Sequence, residues 1–251
     1  MKMKSEFHNY QYESACPDGI ENHWWYLARN RIIANTIRTQ ANPNAAILDV
    51  GCGKGITVKY LRDRGINCFG AELAEVKPLA AVEKYIYVGI NAADIPSVER
   101  QRYETILLLD VIEHIHDPVE FIQNLVAAFP RLSHLIITVP ARPELWSDYD
   151  EFYSHYKRYT IEMLNSLSFK LNVKRSHLGY FFHLVYIPAW LQAILKKKRK
   201  IGVGAPHGLS QLVHKIVSYA MLLDYYVLPK RVVGTSLLAY FSLGSTPARQ
   251  K

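Results

Sequence analysis

The sequence contains few cysteines, and this shortage limits the kinds of site it can build. Three are present among 251 residues, Cys16, Cys52 and Cys68, an odd number that shows neither the spacing of metal ligands nor the pattern of a disulfide framework. The histidines and acidic residues also lack clear metal-ligand spacing. We therefore expect reduced thiols in or near the core and no metal site.

Long apolar runs are also missing. Met1–Tyr10 is polar and lacks the apolar core of a signal peptide, so we expect synthesis and residence in the cytoplasm. The most apolar segment, Tyr180–Leu195, has about sixteen residues, fewer than the roughly 20 that cross a bilayer as a helix. A transmembrane helix is therefore not expected.

Acidic residues are scarce in the C-terminal part of the chain. Met1–Tyr156 carries 15 basic and 20 acidic residues, whereas Lys157–Lys251 carries 15 basic and 2 acidic ones, so their formal charges are −5 and +13. This asymmetry favours an anionic partner for the C-terminal part, such as a phosphate-bearing substrate, nucleic acid or an anionic membrane surface. The alternative is a basic, solvated face without a function.

From Ala45 onward, short apolar runs alternate with helical patterns, which is typical of a parallel sheet covered by helices. We predict an α/β fold with a doubly wound, mostly parallel seven-stranded sheet and a helical insert before the last strand. The predicted strands are Ala46–Val50, Asn67–Glu72, Tyr85–Gly89, Thr105–Asp110 and Leu135–Val139, then a last pair near Lys170–Gly179 and Gly234–Leu243. The predicted core helices are Ile56–Arg64, Leu73–Val82 and Pro118–Ala128.

A glycine-rich turn follows the first predicted strand. Gly51, Gly53 and Gly55 stand at alternate positions, and glycines so placed let a ligand approach the backbone. A dinucleotide-binding turn has Gly-x-Gly-x-x-Gly, whereas here the third glycine comes one residue early. Asp49 would repel a pyrophosphate but could orient the turn or meet an ammonium group. The turn therefore favours a ligand with an amino-acid end and no phosphate.

Glu72 ends the second predicted strand, where a carboxylate can accept hydrogen bonds from both hydroxyls of a ribose. The pattern Asp49-x-Gly51-x-Gly53-x-Gly55 followed by Glu72 resembles the S-adenosylmethionine site of the seven-stranded methyltransferases. The resemblance implies S-adenosylmethionine as the cofactor. It also implies cofactor contacts from the neighbouring residues Cys52 and Leu73.

Two later segments agree with this resemblance. Asn91–Pro96 resembles the family's loop after the third strand, often Asp-Ala-x-Asp-Leu-Pro, whose first residue meets the adenine amino group. Asn91 could still accept through its amide oxygen. Leu109–Ile115 resembles the segment that lines the methionine end of the cofactor, although Asp110 could instead cap a helix. The cofactor residues that these segments imply are Asn91, Ala92, Asp94, Asp110 and Val111.

The rest of the chain resembles a narrower group, bacterial methyltransferases similar to the ubiquinone O-methyltransferases and often associated with cell-surface glycan or lipid pathways. The matching segments are His23–Tyr26 with Arg29, Val139–Ala141 with Leu145–Ser147 and Asp150, and His155–Thr160. The resemblance implies a small-molecule, glycan or lipid-linked acceptor. The candidate substrate or lid residues are Trp24, Arg29, Trp146, Tyr156, Arg158 and Tyr159, for which structural packing is the alternative.

Methyl transfer from a sulfonium mainly requires the protein to hold the acceptor and the methyl group together. A hydroxyl acceptor also needs a base, and His155 is the first candidate, with His114 and His116 after it. We expect O-methylation. A nucleic-acid methyltransferase lacks support from a recognisable RNA-binding module, and the glycine spacing opposes an NAD-binding oxidoreductase. A binding protein without catalysis on the same fold is the remaining alternative.

We predict four segments along the chain: residues 1–44 as an N-terminal helical cap over the cofactor site, 45–180 as the core, 181–230 as the insert, and 231–251 as the last strand and tail. The insert is rich in aromatic and aliphatic residues and contains the basic run Lys196–Lys200. It suits a peripheral contact with the inner face of the membrane, with cations on lipid phosphates. A helical lid and a dimer interface are the alternatives.

Overall fold

The computed structural model describes residues 16–42, 44–195 and 204–244. Its centre is one sheet of seven strands: β1 (Ala46–Val50), β2 (Cys68–Glu72), β3 (Ile86–Val88), β4 (Tyr103–Leu109), β5 (His134–Pro140), β6 (Lys174–Phe181) and β7 (Ser236–Ser242). The strand order is β3-β2-β1-β4-β5-β7-β6. β7 runs antiparallel to the other six strands, which are parallel to one another. The predicted α/β fold with a mostly parallel seven-stranded sheet is confirmed.

Helices flank this sheet on both sides. They are α1 (Trp24–Gln40), α2 (Ile56–Arg62), α3 (Ser97–Arg100), α4 (Pro118–Ala128), α5 (Asp148–Phe152), α6 (Ile161–Lys170), α7 (Tyr186–Ile194) and α8 (Leu209–Val227). Short 3-10 helices lie at Ile20–Asn22, Glu83–Tyr85, Ala92–Asp94, Ile112–His114 and Pro143–Leu145. Across the described ranges, no helix is both long and apolar enough to cross a membrane.

Local signals explain why α4 begins where the sequence predicts. The side chain of Asp117 accepts hydrogen bonds from the backbone N–H groups of Val119 and Glu120, both at 3.0 Å. Pro118 occupies the first turn, where its missing N–H costs nothing. The helix therefore starts at a residue that the sequence alone identifies.

The helix predicted over Leu73–Val82 is wrong, because this segment is irregular apart from a turn at its end. Glu72 accepts a hydrogen bond from the N–H of Ala74 at 2.9 Å, which turns the chain directly after β2. Pro78 lacks an N–H and disfavours helical backbone at the residue before it. The N–H of Leu79 donates to the carbonyl oxygen of Lys54 at 2.9 Å, so the segment lies against the glycine turn.

The two faces of the sheet carry separate apolar cores. Leu48 and Ile106 pack with α4 and α6 on one face, whereas Ile47 and Leu107 pack with α1, α2 and α8 on the other. Neighbouring residues of a strand point to opposite faces, so each central strand contributes to both cores. This explains why the central strands read as continuous apolar runs.

The order of the strands fixes where a ligand can bind. The chain passes from β1 to β2 on one side, and β4 lies on the other side of β1. The segments that follow β1 and β4 therefore diverge and leave a crevice at the carboxyl ends of these strands. Gly51 follows β1 and Asp110 follows β4, so both residues border that crevice.

Two helices, α7 and α8, lie between β6 and β7, within the span predicted as the insert. β6 ends at Phe181, one residue inside that span. The buried carboxylate of Asp224 on α8 accepts hydrogen bonds from the N–H groups of His183 and Leu184 at 3.0 and 3.1 Å. These bonds fasten α8 to the end of β6. The basic run Lys196–Lys200 lies outside the described residues, as do 1–15 of the predicted cap and 245–251 of the predicted tail.

Gly234 precedes β7 and closely approaches the end of β6. A Cβ atom at Gly234 would lie 2.6 Å from the carbonyl oxygen of Phe181, so the backbone would have to shift. We expect Gly234→Ala to lower the free energy of unfolding by about 1–3 kcal/mol. Gly204→Ala is the control, since its Cβ would meet open space and should change stability by less than about 0.5 kcal/mol. Equal effects in urea unfolding would contradict this packing.

Candidate functional site

A cavity of about 510 Å³ lies at the carboxyl ends of β1, β4 and β5. Five parts of the chain form most of its walls: the glycine turn after β1, the segment that follows β4, the segment that follows β5, the start of α1, and one face of α7. The volume is typical of a site for a small molecule or cofactor. Because the walls come from distant parts of the sequence, the folded sheet is required to assemble them.

The glycine turn has a backbone that other residues adopt at a cost. Gly51, Gly53 and Gly55 have φ angles of 75°, 54° and 82°, in the left-handed region that favours glycine. A Cβ atom at Gly51 would lie 2.9 Å from Cγ2 of Val111. The turn therefore needs glycine both for its conformation and for the close approach of the segment after β4.

Glu72 supports this turn from β2. Its Oε2 accepts a hydrogen bond from the N–H of Gly53 at 2.8 Å, and its Oε1 accepts one from the N–H of Ala74 at 2.9 Å. Each carboxylate oxygen can accept a second bond. Glu72 thus fixes the turn, and its contact with the ribose hydroxyls stays a prediction of the sequence analysis.

Asp49 is a buried carboxylate whose Oδ1 has no hydrogen-bond partner among the described residues. Burial raises its pKa to about 7 in spite of the nearby Arg29, and the charges of Glu72 and Asp110 add to the effect of burial. Unpartnered buried polar atoms are rare and costly. Because Asp49 also lines the cavity, its free oxygen fits a ligand that brings an N–H donor or a positive charge, as S-adenosylmethionine does.

Arg29 reaches from α1 into this group of acids. Its Nη1 donates to Oδ2 of Asp110 at 2.5 Å and its Nη2 donates to the hydroxyl of Thr57 at 3.1 Å. The guanidinium also lies 4.4 Å from the ring centre of Trp25. Asp110 has a φ of 57°, unusual for a residue with a side chain. The ion pair holds Asp110 in this strained backbone conformation and holds α1 over the cavity.

Glu113 is a second buried carboxylate in the cavity wall. Its Oε2 has no partner among the described residues. Burial, together with the charge of Asp110, raises the pKa of Glu113 well above its ordinary value. Three carboxylates of the cavity wall, those of Asp49, Asp110 and Glu113, therefore lie around Arg29, which suits a ligand of positive charge.

His155 forms a hydrogen-bonded pair with Asp150. Its Nδ1 lies 2.9 Å from Oδ1 of Asp150, and Nε of Arg158 donates to the same oxygen at 2.8 Å. Although burial opposes it, these hydrogen bonds and the charge of Arg158 lower the pKa of Asp150. An ionised Asp150 only accepts, so the proton of His155 resides on Nδ1 and Nε2 remains the basic nitrogen.

His114 lies next to His155, with ring centres 4.7 Å apart. Burial and the neighbouring His155 lower the pKa of His114 to about 4. Ligand atoms of Glu113, His114 and His155 lie within 4.8 Å of one another and could together hold a metal ion. Their spacing along the sequence does not predict such a group, because His155 comes from a different part of the chain.

The structure brings some of the predicted cofactor residues together in the cavity wall and leaves others outside it. Those in the wall are Asp49, Gly51, Cys52, Gly53 and Asp110. Those outside the wall, as the described residues form it, are Gly55, Glu72, Leu73, Asn91, Ala92, Asp94 and Val111. Asn91 begins a 3-10 helix, and its Oδ1 accepts a hydrogen bond from the N–H of Ala93 at 2.9 Å. The predicted adenine contact therefore competes with a local cap.

The predicted substrate or lid residues divide in the same way. Trp24, Arg29 and Arg158 line the cavity, as do His114 and His155, whereas the third candidate base, His116, lies outside its wall. Trp146 and Tyr156 are partly exposed outside it. Tyr159 is buried and donates its hydroxyl proton to the carbonyl oxygen of Ile112 at 3.0 Å, which is a structural role.

Sequence reasoning missed several residues of this wall. Glu113 passes for a surface residue because it stands beside His114 in a segment with helix-capping character. Asp150 looks like part of a helix start, and it does complete a capping box with Ser147. The contact between Asp150 and His155 is local in sequence, because His155 comes five positions after Asp150. The cavity face of α7 carried no signal in the sequence.

Comparison with known protein families gives one match that spans much of the chain. A family model described as a methyltransferase domain matches residues 24–193. The matched region includes the glycine turn, the segment after β4, the His155–Asp150 pair and α7. It therefore contains most of the cavity wall, and the wall residues outside it are Cys16, His23, Thr235 and Ser236.

The chain is also similar to individual proteins. It is 28% identical over 160 residues to a ubiquinone biosynthesis O-methyltransferase of Hydrogenovibrio crunogenus, covering 57% of this chain and 61% of that protein. A protein of the same name from Leptothrix cholodnii is 33% identical over 85 residues, covering 31% and 36%. The matches thus span about three fifths or less of these relatives. The plantazolicin methyltransferase BamL, solved with a triazolic desmethylPZN analog and SAH, has a TM-score of 0.52 at 15% identity, covering 93% and 88%.

The raised pKa of Asp49 predicts a specific dependence of stability on pH. Above the pKa of an unfolded aspartate, near 4, the folded state keeps the proton that the unfolded chain releases. The free energy of unfolding therefore falls as pH rises, until Asp49 ionises in the folded state near pH 7. The free energy of unfolding of Asp49→Asn lacks this dependence. Between about pH 5 and pH 8 we therefore expect it to rise relative to that of wild type by on the order of 2 kcal/mol. A difference that is constant with pH in urea unfolding would contradict the assignment.

Proposed function

We propose, from the premise that this chain belongs to the S-adenosylmethionine-dependent methyltransferases with a seven-stranded sheet, that it methylates a hydroxyl oxygen of a small-molecule, glycan or lipid-linked acceptor. The observation that carries the proposal is that one cavity is lined by both the glycine turn and His155, whose Nδ1 is hydrogen-bonded to Asp150. A cofactor and an acceptor held in one cavity can react directly.

The cofactor residues follow from the first half of the cavity. Asp49, Gly51 and Gly53 in the cavity wall, with Glu72 behind the glycine turn, would hold S-adenosylmethionine, which supplies a methyl group on a positively charged sulfur. The acidic groups around Arg29 suit this positive charge. Trp24 and Trp25, which also line the cavity, cover it from α1 and help to exclude water.

The second half of the cavity serves the acceptor. An attacking hydroxyl must lose its proton during or after the transfer, and Nε2 of His155 is the basic nitrogen available for it. Asp150 accepts the proton of Nδ1 in a hydrogen bond, which fixes the tautomer and stabilises the protonated ring. Arg158 holds Asp150 in place through a second bond to Oδ1. His155 is therefore the general base in this proposal and Asp150 its positioning residue.

Two observations support the choice of oxygen and of acceptor. The curated relatives are named O-methyltransferases of ubiquinone biosynthesis, and a base next to the cavity is needed for a neutral hydroxyl. The apolar face of α7 on the cavity suits an acceptor with an apolar part.

We also propose that the protein acts on the cytoplasmic side of the membrane, where anionic lipids would face its basic C-terminal part.

His155→Ala should lower kcat for methyl transfer by about 10²–10⁴-fold and leave the affinity for S-adenosylmethionine nearly unchanged. Asp150→Asn should also lower kcat, because an amide no longer fixes the tautomer of His155. The assay follows methylated products by mass spectrometry with a panel of phenols, catechols and alkyl glycosides.

His116→Ala is the matched control, since His116 is exposed on the segment that follows β4. It should retain full activity. Equal kcat values for His155→Ala and His116→Ala would show that His155 is not the base. Methylation of nitrogen or carbon in the wild-type products would contradict the choice of oxygen.

A further inference from the structure

Helix α7 is apolar on two opposite faces. One face lines the cavity with Val185, Pro188, Ala189, Gln192 and Ala193. The other carries large apolar side chains that no described residue covers: Ile187 is 62% exposed, Leu191 47% and Ile194 56%. A surface helix of a globular protein normally turns polar residues outward. The exposed side of α7 is therefore unusually apolar for a helix surface in contact with water.

Helix α8 continues this apolar surface. Its inner side contributes the buried residues Ser218, Met221, Asp224 and Tyr225. Its exposed residues recur at helical spacing along one side: Leu209, Leu212, Val213, Ile216, Tyr219, Leu223, Tyr226 and Val227. We call the exposed apolar residues of α7 and α8 the outer face. Contiguous exposed apolar surface of this kind marks a contact with another molecule or with lipid.

The span of sequence that contains the outer face is basic. Residues 181–230 contain seven basic residues and one acidic residue. The acidic residue, Asp224, is buried against His183, so it contributes no negative charge to the surface. Lys215 is exposed on α8 itself. The remaining positive charge includes Lys196–Lys200, which follows α7 in the sequence and lies outside the described residues.

We infer that the outer face docks on the surface of an anionic lipid bilayer. Exposed apolar side chains in a span of net positive sequence charge match an interface of acyl chains and negatively charged headgroups. Trp190 and Tyr219, both partly exposed, suit the boundary between these two layers. A second copy of this chain fits less well, since a symmetric contact would bring the same positive charges together.

Lipid docking also explains the position of α7. The same helix separates the cavity from the outer face, so on a bilayer the cavity would lie directly behind the helix that meets the lipid. An acceptor with a lipid tail could then present its headgroup to His155 without leaving the membrane surface. The presentation of a lipid-tailed acceptor to His155 rests on the proposed function. The contact between the outer face and lipid does not depend on it.

Vesicle flotation with the full chain tests the inference. We expect binding to vesicles of phosphatidylcholine with about 30% phosphatidylglycerol, and weaker binding to phosphatidylcholine alone or when salt rises from about 50 to 500 mM. The double variant Leu212→Gln with Ile216→Gln should lower the partition coefficient at least tenfold. Both positions point away from the cavity wall, so binding of S-adenosylmethionine should persist and report an intact fold.

The matched control changes two exposed apolar residues away from the outer face. Val98 and Phe169 are 77% and 86% exposed, and Val98→Gln with Phe169→Gln should leave the partition coefficient within twofold of wild type. Equal losses in both double variants, or no vesicle binding by wild type, would overturn the inference. A wild-type dimer in sedimentation, dissociated by the α8 variant and without vesicle binding, would assign the outer face to a second copy.

Vesicle flotation together with the methyl-transfer assay separates this inference from the proposed function. Vesicle binding by a chain that transfers no methyl group would support the lipid contact and contradict the proposed function. Methyl transfer at wild-type rate to soluble acceptors, without vesicle binding, would do the reverse.

Discussion

The ion pair between the buried Arg29 and the partly buried Asp110 is the interaction on which the arrangement of the site depends. It joins α1 to the segment after β4 across 81 residues of sequence, and it places one cation among Asp49, Asp110 and Glu113. Removing a partner from a buried pair leaves an uncompensated charge and is strongly destabilising. Because α1 also packs along α8, and Asp224 fastens α8 to the end of β6, the pair indirectly positions the insert as well.

The charge of the molecule has an inner and an outer part with different roles. Acidic groups gather inside the cavity, where burial raises the pKa values of Asp49 and Glu113. Such an interior is costly without a ligand and favourable around a positively charged cofactor. Basic residues dominate the C-terminal part, where the outer face carries no acidic residue at its surface. The cofactor and the proposed lipid surface thus differ in charge, and each meets the part of the protein that complements it.

Much of the fold could be predicted because its signals are local. Buried parallel strands read as apolar runs, and Asp117 with Pro118 marks the start of α4. The site was harder to predict, because its contacts join distant residues. No local pattern pairs Arg29 with Asp110 or brings Glu113 and His114 beside His155. The segment after Glu72 shows that a local pattern can also mislead. Its apolar residues have helical spacing, but Pro78 and the hydrogen bond from the N–H of Ala74 to the side chain of Glu72 favour an irregular backbone.

The glycine turn and Glu72 together form the proposed binding site for S-adenosylmethionine. Calorimetric titration of wild type with this cofactor and, separately, with NADH tests it most directly. Glu72→Ala is the test variant and Glu75→Ala, an exposed carboxylate three residues further on, is its control. We predict binding of S-adenosylmethionine alone, weakened at least tenfold by Glu72→Ala and unchanged by Glu75→Ala. Preference for NADH, or full affinity for S-adenosylmethionine in Glu72→Ala, would contradict this assignment of the cofactor site.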